Sequence, residues 1–137
     1  GGAVEKARAV YPDSTSKQEG EAVSTLIYGV QWDATVRWLR KTYNNPDIAI
    51  DSTDHGNYDT GSAINTGSND TYKLNNIYDL AGNVYEWTME AINFNARINR
   101  GGHYGNAGSN IPVSRRNNLL PAFSSSIIGF RFVLYIK

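Results

Sequence analysis

Ile77-Tyr78-Asp79-Leu80-Ala81-Gly82-Asn83-Val84-Tyr85-Glu86-Trp87-Thr88 is the stretch that decides the fold of this chain. Two short apolar runs, Ile77 to Leu80 and Val84 to Met89, flank Gly82-Asn83. That pair is a turn signal, so the chain reverses there into its next strand. Tyr85 and Trp87 are large apolar fillers, and Asp79 and Glu86 are acids set close to them. Downstream, Ala96 to Tyr104 is a third run with strand character, interrupted by Gly101-Gly102, which permits close backbone approach or a bulge. The last run, Gly129 to Ile136, is apolar on both faces, and this predicts a central, buried strand. Arg131 stands between two Phe in that run and needs an acidic or carbonyl partner, for which Glu86 and Asp79 are the candidates.

Upstream the pattern is helical. Val4, Ala7 and Tyr11 recur at helical spacing until Pro12 ends them, and Asp13 to Glu21 reads as a polar loop. Trp32, Val36, Leu39 and Tyr43 lie at i, i+4, i+7 and i+11, one face of a helix that Asn44-Asn45-Pro46 stops. Asp33 falls in its expected first turn and Arg37, Arg40 and Lys41 toward its end, as the helix dipole favours. From Ile48 to Asn76 the chain is rich in Asp, Asn, Ser, Thr and Gly. So long a polar stretch either carries a site or is a solvated excursion. Helices first and strands after them, with irregular segments between, indicate an α+β domain.

With 137 residues the chain fits one domain over 1–137 and can bury a core, although it can equally be the C-terminal part of a longer protein. Thirteen basic residues balance thirteen acidic ones without a Lys/Arg cluster, which argues against nucleic acid as a partner. No apolar run approaches the length of a membrane span, so no membrane insertion is expected. Cysteine is absent, which removes disulfides, thiolate nucleophiles and Cys-ligated metals.

The opening stretch, then Arg97-Ile98-Asn99-Arg100-Gly101-Gly102, then Gly129-Phe130-Arg131, resemble in order and spacing the formylglycine-generating-enzyme (sulfatase-modifying) family. Its signature runs "GLYDMxGNVWEW", "RVxRGGSW" and a terminal "GFR". Trp32 sits where that family has its "EAEWEYA" helix. The resemblance covers most of residues 25–137. It implies a C-type-lectin-like fold: two helices flanking a small twisted, mostly antiparallel sheet with long irregular loops. It also implies a structural calcium ion held by the side chains of Asp79 and Glu86 and the carbonyls of Gly82 and Val84, oxygen donors that suit a hard cation. The Glu86 carboxylate can instead pair with Arg131 or cap a turn. A second ion would need the loop around Asp51, Asp54 and Asp59, where no match is found.

The family's formylglycine-generating members act through cysteines, which this chain lacks. Its two histidines, His55 and His103, lie in unrelated segments whose spacing gives no support to an iron-binding set. No serine stands in a nucleophile-elbow context. The expectation is therefore a domain that is not an enzyme. Such empty versions resemble the variable proteins of diversity-generating retroelements, displayed on phage tails and bacterial surfaces.

One compositional contrast supports that reading. Residues 93–128 contain no Lys, Glu, Gln, Met or Trp, while the other 101 residues contain sixteen of them. These five cannot be reached from an asparagine AAC codon by changing only its adenines, and every residue type in the window can. Composition by itself fits either diversification at adenines or a Ser/Asn/Gly-rich loop. The window, however, falls between the RGG and GFR motifs, where the resemblance places hypervariable residues. The expected ligand-facing set is His103, Tyr104, Asn106, Asn110, Ile111, Val113, Arg115, Arg116, Asn117, Asn118, Leu120, Ala122 and Phe123. Gly102, Gly105, Gly108, Pro112 and Pro121 are expected to hold the backbone. Tyr and Phe offer rigid contact area while Asn, Ser and His offer adaptable hydrogen bonds. The expected partner is a protein or glycan receptor on a cell surface, met by a phage virion tail or an extracellular bacterial surface. The competing expectation is a calcium-dependent carbohydrate-binding lectin on the same fold.

Overall fold

A computed structural model of the chain describes residues 2–12, 22–43 and 45–136. The loop expected at 13–21 lies outside them. Helix α1 (Ala3–Val10) leads into strand β1 (Ala22–Leu26) and helix α2 (Gly29–Thr42). α2 turns its Trp32, Val36 and Leu39 stripe inward, and all three are buried. Each such side chain contributes about 1.5–3 kcal/mol by leaving water. The helix begins earlier than its apolar stripe suggests, so Asp33 falls beyond the first turn, with Tyr28 as cap.

The polar stretch after α2 carries short 3-10 turns and two small strands, β2 (Gly56–Asn57) and β3 (Lys73–Leu74), the second paired with β4 (Ile77–Tyr78) at the start of the decisive stretch. The decisive stretch anchors it. Gly82 and Asn83 both adopt left-handed backbone, φ 71° and 61°. A Cβ on Gly82 would lie 2.7 Å from the Asn57 carbonyl oxygen, so only glycine fits there. The Asn83 amide accepts from Ile64 N–H (2.9 Å) and donates to Ile64 C=O (3.0 Å). Asp79 Oδ2 accepts from Gly67 N–H at 2.8 Å. The long polar segment is thus tied to the motif by side-chain bonds, in addition to its buried Ile48, Tyr58 and Leu74.

β5 (Ala81–Gly82) pairs with β2, and β6 (Tyr85–Asn93), the longest strand, pairs antiparallel with β7 (Ala96–Arg100). The main sheet has the order β8-β7-β6-β9, with β8 (Asn117–Leu119) and β9 (Ile128–Phe130) at opposite edges. β9 runs parallel to β6, so the chain between β8 and β9 must cross from one edge to the other. Helices and mixed sheets joined by long loops make this an α+β, C-type-lectin-like arrangement.

The last strand departs from its expectation. Among the described residues β10 (Phe132–Ile136) pairs only with β1, in a separate two-stranded sheet. Phe132, Leu134 and Ile136 are exposed along one face and Val133 and Tyr135 are half-buried. An apolar run needs two covered faces to be central. Here α1 lies over β1, through Ser24 Oγ donating to Ala7 C=O (2.5 Å), and no described residue covers the adjacent β10 face.

Candidate ligand-binding surface

The segment after β7 starts from a fully buried cation. Arg100 Nη1 donates to Ser114 C=O at 2.6 Å, Nη2 bonds the Asp33 carboxylate, and the guanidinium lies 5.8 Å from the Trp32 ring centre. Burial pulls its pKa below the ordinary guanidinium value, opposed by Asp33. Trp32 Nε1–H donates to Val113 C=O (2.9 Å), and Val113 N–H donates to buried Ser52 Oγ (2.9 Å). Tyr58 O–H donates to Gly101 C=O (2.9 Å) and Ile111 C=O (3.3 Å). Gly102, at φ 81°, has no room for a Cβ, which would fall 2.8 Å from the Tyr58 ring. Two framework aromatics and one serine therefore fix the backbone at Gly101, Ile111 and Val113, and Arg100 fixes it at Ser114.

This fixing corrects part of the expected ligand-facing set. Ile111 and Val113 are buried, Val113 completely, in the core cluster with Trp32 and Tyr58. Their carbonyls are hydrogen-bonded inward, so the apolar side chains follow into the core. Arg116 is exposed but committed: it bridges Asp33 and Glu90, with Nε 3.0 Å from Glu90 Oε1. Asn117 is half-buried and donates to Asn99 Oδ1 at 3.0 Å.

The remaining positions face outward in two groups. His103 and Tyr104 are half-buried around Tyr85, with ring centres 5.0 Å apart for Tyr85–His103 and 6.0 Å for His103–Tyr104. Burial lowers the His103 pKa, with Asn106 pulling the other way. Tyr104 Oη lies 3.2 Å from Ser126 Oγ, and the positive charge of Arg115 reaches Tyr85. Asn106, Asn110, Arg115 and Asn118 are exposed. The second group, Leu120, Ala122 and Phe123, is exposed on the β8–β9 crossover. Sequence reasoning missed Tyr85 as the floor of the first group because its apolar neighbours mark it as core. It missed Ser126 because nothing separates that serine from Ser124 and Ser125.

The oxygen set implied by the family resemblance does not fit a calcium ion. Both Glu86 oxygens accept from Arg131, Oε2 from Nε at 2.8 Å and Oε1 from Nη2 at 2.7 Å. Nη2 also lies 3.0 Å from Tyr78 C=O and 3.4 Å from Asp79 C=O. Burial works against the Arg131 charge, and Glu86 more than reverses that, so its pKa lies above the ordinary value. Of the Arg131 partners expected from sequence, Glu86 engages through its carboxylate and Asp79 only through its carbonyl, while Tyr78 C=O lies outside that expectation. Asp79 Oδ1 is left buried without a donor, and with the Gly82 and Val84 carbonyls it makes three oxygens, half of the six or more that calcium takes. His55 sits with Asn45 and the Tyr43 ring, away from the Tyr85 cluster of His103, and no group of three His, Asp or Glu able to hold a metal occurs among the described residues.

Residues 6–136 match the family described as sulfatase-modifying factor enzyme 1-like domain. The chain belongs to that family. This sulfatase-modifying factor enzyme 1-like domain is similar in structure to variable protein 1 of Treponema denticola, with a TM-score of 0.60 at 19% identity, over 82% of this chain and 48% of that one. It is also similar to CarF, with a TM-score of 0.64 at 20% identity, over 84% and 48%. These likenesses show the fold, and the domain spans about half the length of both proteins. No curated protein matches it.

Proposed function

We propose that this domain is a non-catalytic display domain whose surface between the RGG and GFR motifs is diversified by a retroelement to bind external macromolecules. One observation carries the reading. Within the depleted window, buried Arg100, Ile111 and Val113 hold the backbone, while Asn106, Asn110, Arg115, Asn118, Ala122 and Phe123 project outward from it. A fixed framework of this kind lets side chains change without remaking the core, and it presents them preorganised, so that binding loses less entropy. A protein or glycan receptor on a cell surface suits the mixture of Tyr, Phe, Asn and Arg. A phage tail or an extracellular bacterial surface is the setting in which such a surface meets its receptor. The calcium-dependent lectin reading is weaker, because Glu86 is committed to Arg131.

The encoding locus tests the proposal. A neighbouring reverse transcriptase gene is expected, with a second copy of codons 93 to 131 that differs from the first only where it carries adenine. A locus with neither removes the diversification reading.

A further inference from the structure

Beneath α1 lies a trough that the variable surface does not account for. Two cavities of about 460 and 450 Å³ meet where Gly2, Ala3, Trp87 and Pro121 line both. Each is large enough for a small organic molecule. The first is walled by apolar Val4, Leu26, Trp87, Met89 and Ala91. The second is walled by Trp87, Ile128 and Phe130 and roofed by Ala122 and Phe123 of the crossover. Leu26 and Trp87 belong to the smaller core cluster with Ala7, so the floor is part of the packed framework.

The charges at this trough are one-sided. Arg8 and Arg97 line the first cavity and Lys6 the second, against one acid, Glu5. Among the described residues none of these three cations forms an ion pair with an acid. Arg97 Nη1 donates to Asn93 C=O (2.8 Å), which leaves the rest of its guanidinium fork available. By contrast Arg100 and Arg116 are ion-paired with Asp33, and Arg131 with Glu86. Unpaired cations over an apolar, tryptophan-floored cavity complement a ligand with an apolar body and one negative end.

We infer that the trough under α1 is a second binding site, for a small amphipathic carboxylate whose aliphatic or aromatic body lies over Trp87 and whose charge meets Arg8 and Arg97. This site stands without the diversification reading, since its floor and its cations lie outside the exposed variable positions. Ala122 and Phe123 contribute only part of the roof, so changes there would reshape the second cavity and leave the first in place.

Titration with decanoate and with its uncharged counterpart 1-decanol, followed by the NMR signal of the Trp87 indole N–H, tests the inference. Decanoate is expected to shift that signal and to bind more tightly than decanol. The Arg8→Gln/Arg97→Gln double variant should weaken decanoate by about three- to tenfold and leave decanol unchanged, as two solvent-accessible ion pairs allow. Ala3→Phe, which fills the junction of the cavities, should weaken both. Equal binding of decanoate and decanol by the natural protein would overturn the anion assignment, even if a variant did not fold. An unmoved Trp87 signal would overturn the site itself.

Discussion

Replacing Arg131 by Met should cost this domain a large share of its stability, because of what the substitution leaves behind. The Glu86 side chain is 9% exposed and both its oxygens are held by the guanidinium. Removing the partner strands a carboxylate in a nearly dry site, a change that costs about 3–5 kcal/mol. Domains of this size have about 5–15 kcal/mol in total. Glu86→Gln alone leaves Arg131, 25% exposed, with an amide oxygen and two carbonyls, and should cost less. In the Glu86→Gln/Arg131→Met protein the stranded charge is gone, so the double variant should be more stable than Arg131→Met. Urea unfolding of the four proteins closes a double-mutant cycle, in which a coupling of about 1–3 kcal/mol is expected between contacting residues. The same curves run with calcium and with chelator should superimpose for the natural protein, because the guanidinium already satisfies Glu86. Additive single losses, or a midpoint that falls when calcium is chelated, would refute this assignment of Arg131.

Tyr58→Phe removes the donor that serves Gly101 C=O and Ile111 C=O, and should lower stability by about 1–2 kcal/mol in the same unfolding assay. A neutral result would mean that the aromatic body alone supports the loop. Acidification should destabilise the domain through His103, whose folded-state pKa is lowered by burial. The unfolded chain then binds the proton more readily, so stability is full above the unfolded value of about 6.5 and declines as pH falls through it. Thermal midpoints of the natural protein and His103→Gln, measured from neutral to mildly acidic pH, should converge on the acidic side, whereas parallel curves would exclude His103 as the source.

The parts of the fold legible in the sequence were those written as side-chain period or as turn chemistry. The Trp32, Val36 and Leu39 stripe became α2, and Gly82-Asn83 became the left-handed turn. Arg131 between two Phe announced its own need for an acid, and Glu86 answers it. The last strand misled because apolar period reports what a strand could bury, whereas topology decides what covers it. Among the described residues β10 pairs only with β1, and one of its faces is left exposed. Ile111 and Val113 misled for a related reason. In a loop without periodicity, inward and outward positions are set by distant anchors such as Trp32 Nε1 and Ser52 Oγ, which no local spacing encodes. Arg116 likewise looked available until α2 and β6 supplied Asp33 and Glu90.

The most direct measurement randomises Asn106, Asn110, Arg115, Asn118, Ala122 and Phe123 together, using the residue types reachable from AAC by changing its adenines, and scores folding of each variant by thermal melting. Most members should remain within about 1 kcal/mol of the parent, as exposed positions away from special features do. A matched library at Arg100, Ile111 and Val113 should mostly unfold, since truncating a buried aliphatic side chain such as Ile111 alone costs about 2–5 kcal/mol. Equal losses in both libraries would contradict the division between a holding framework and a free surface.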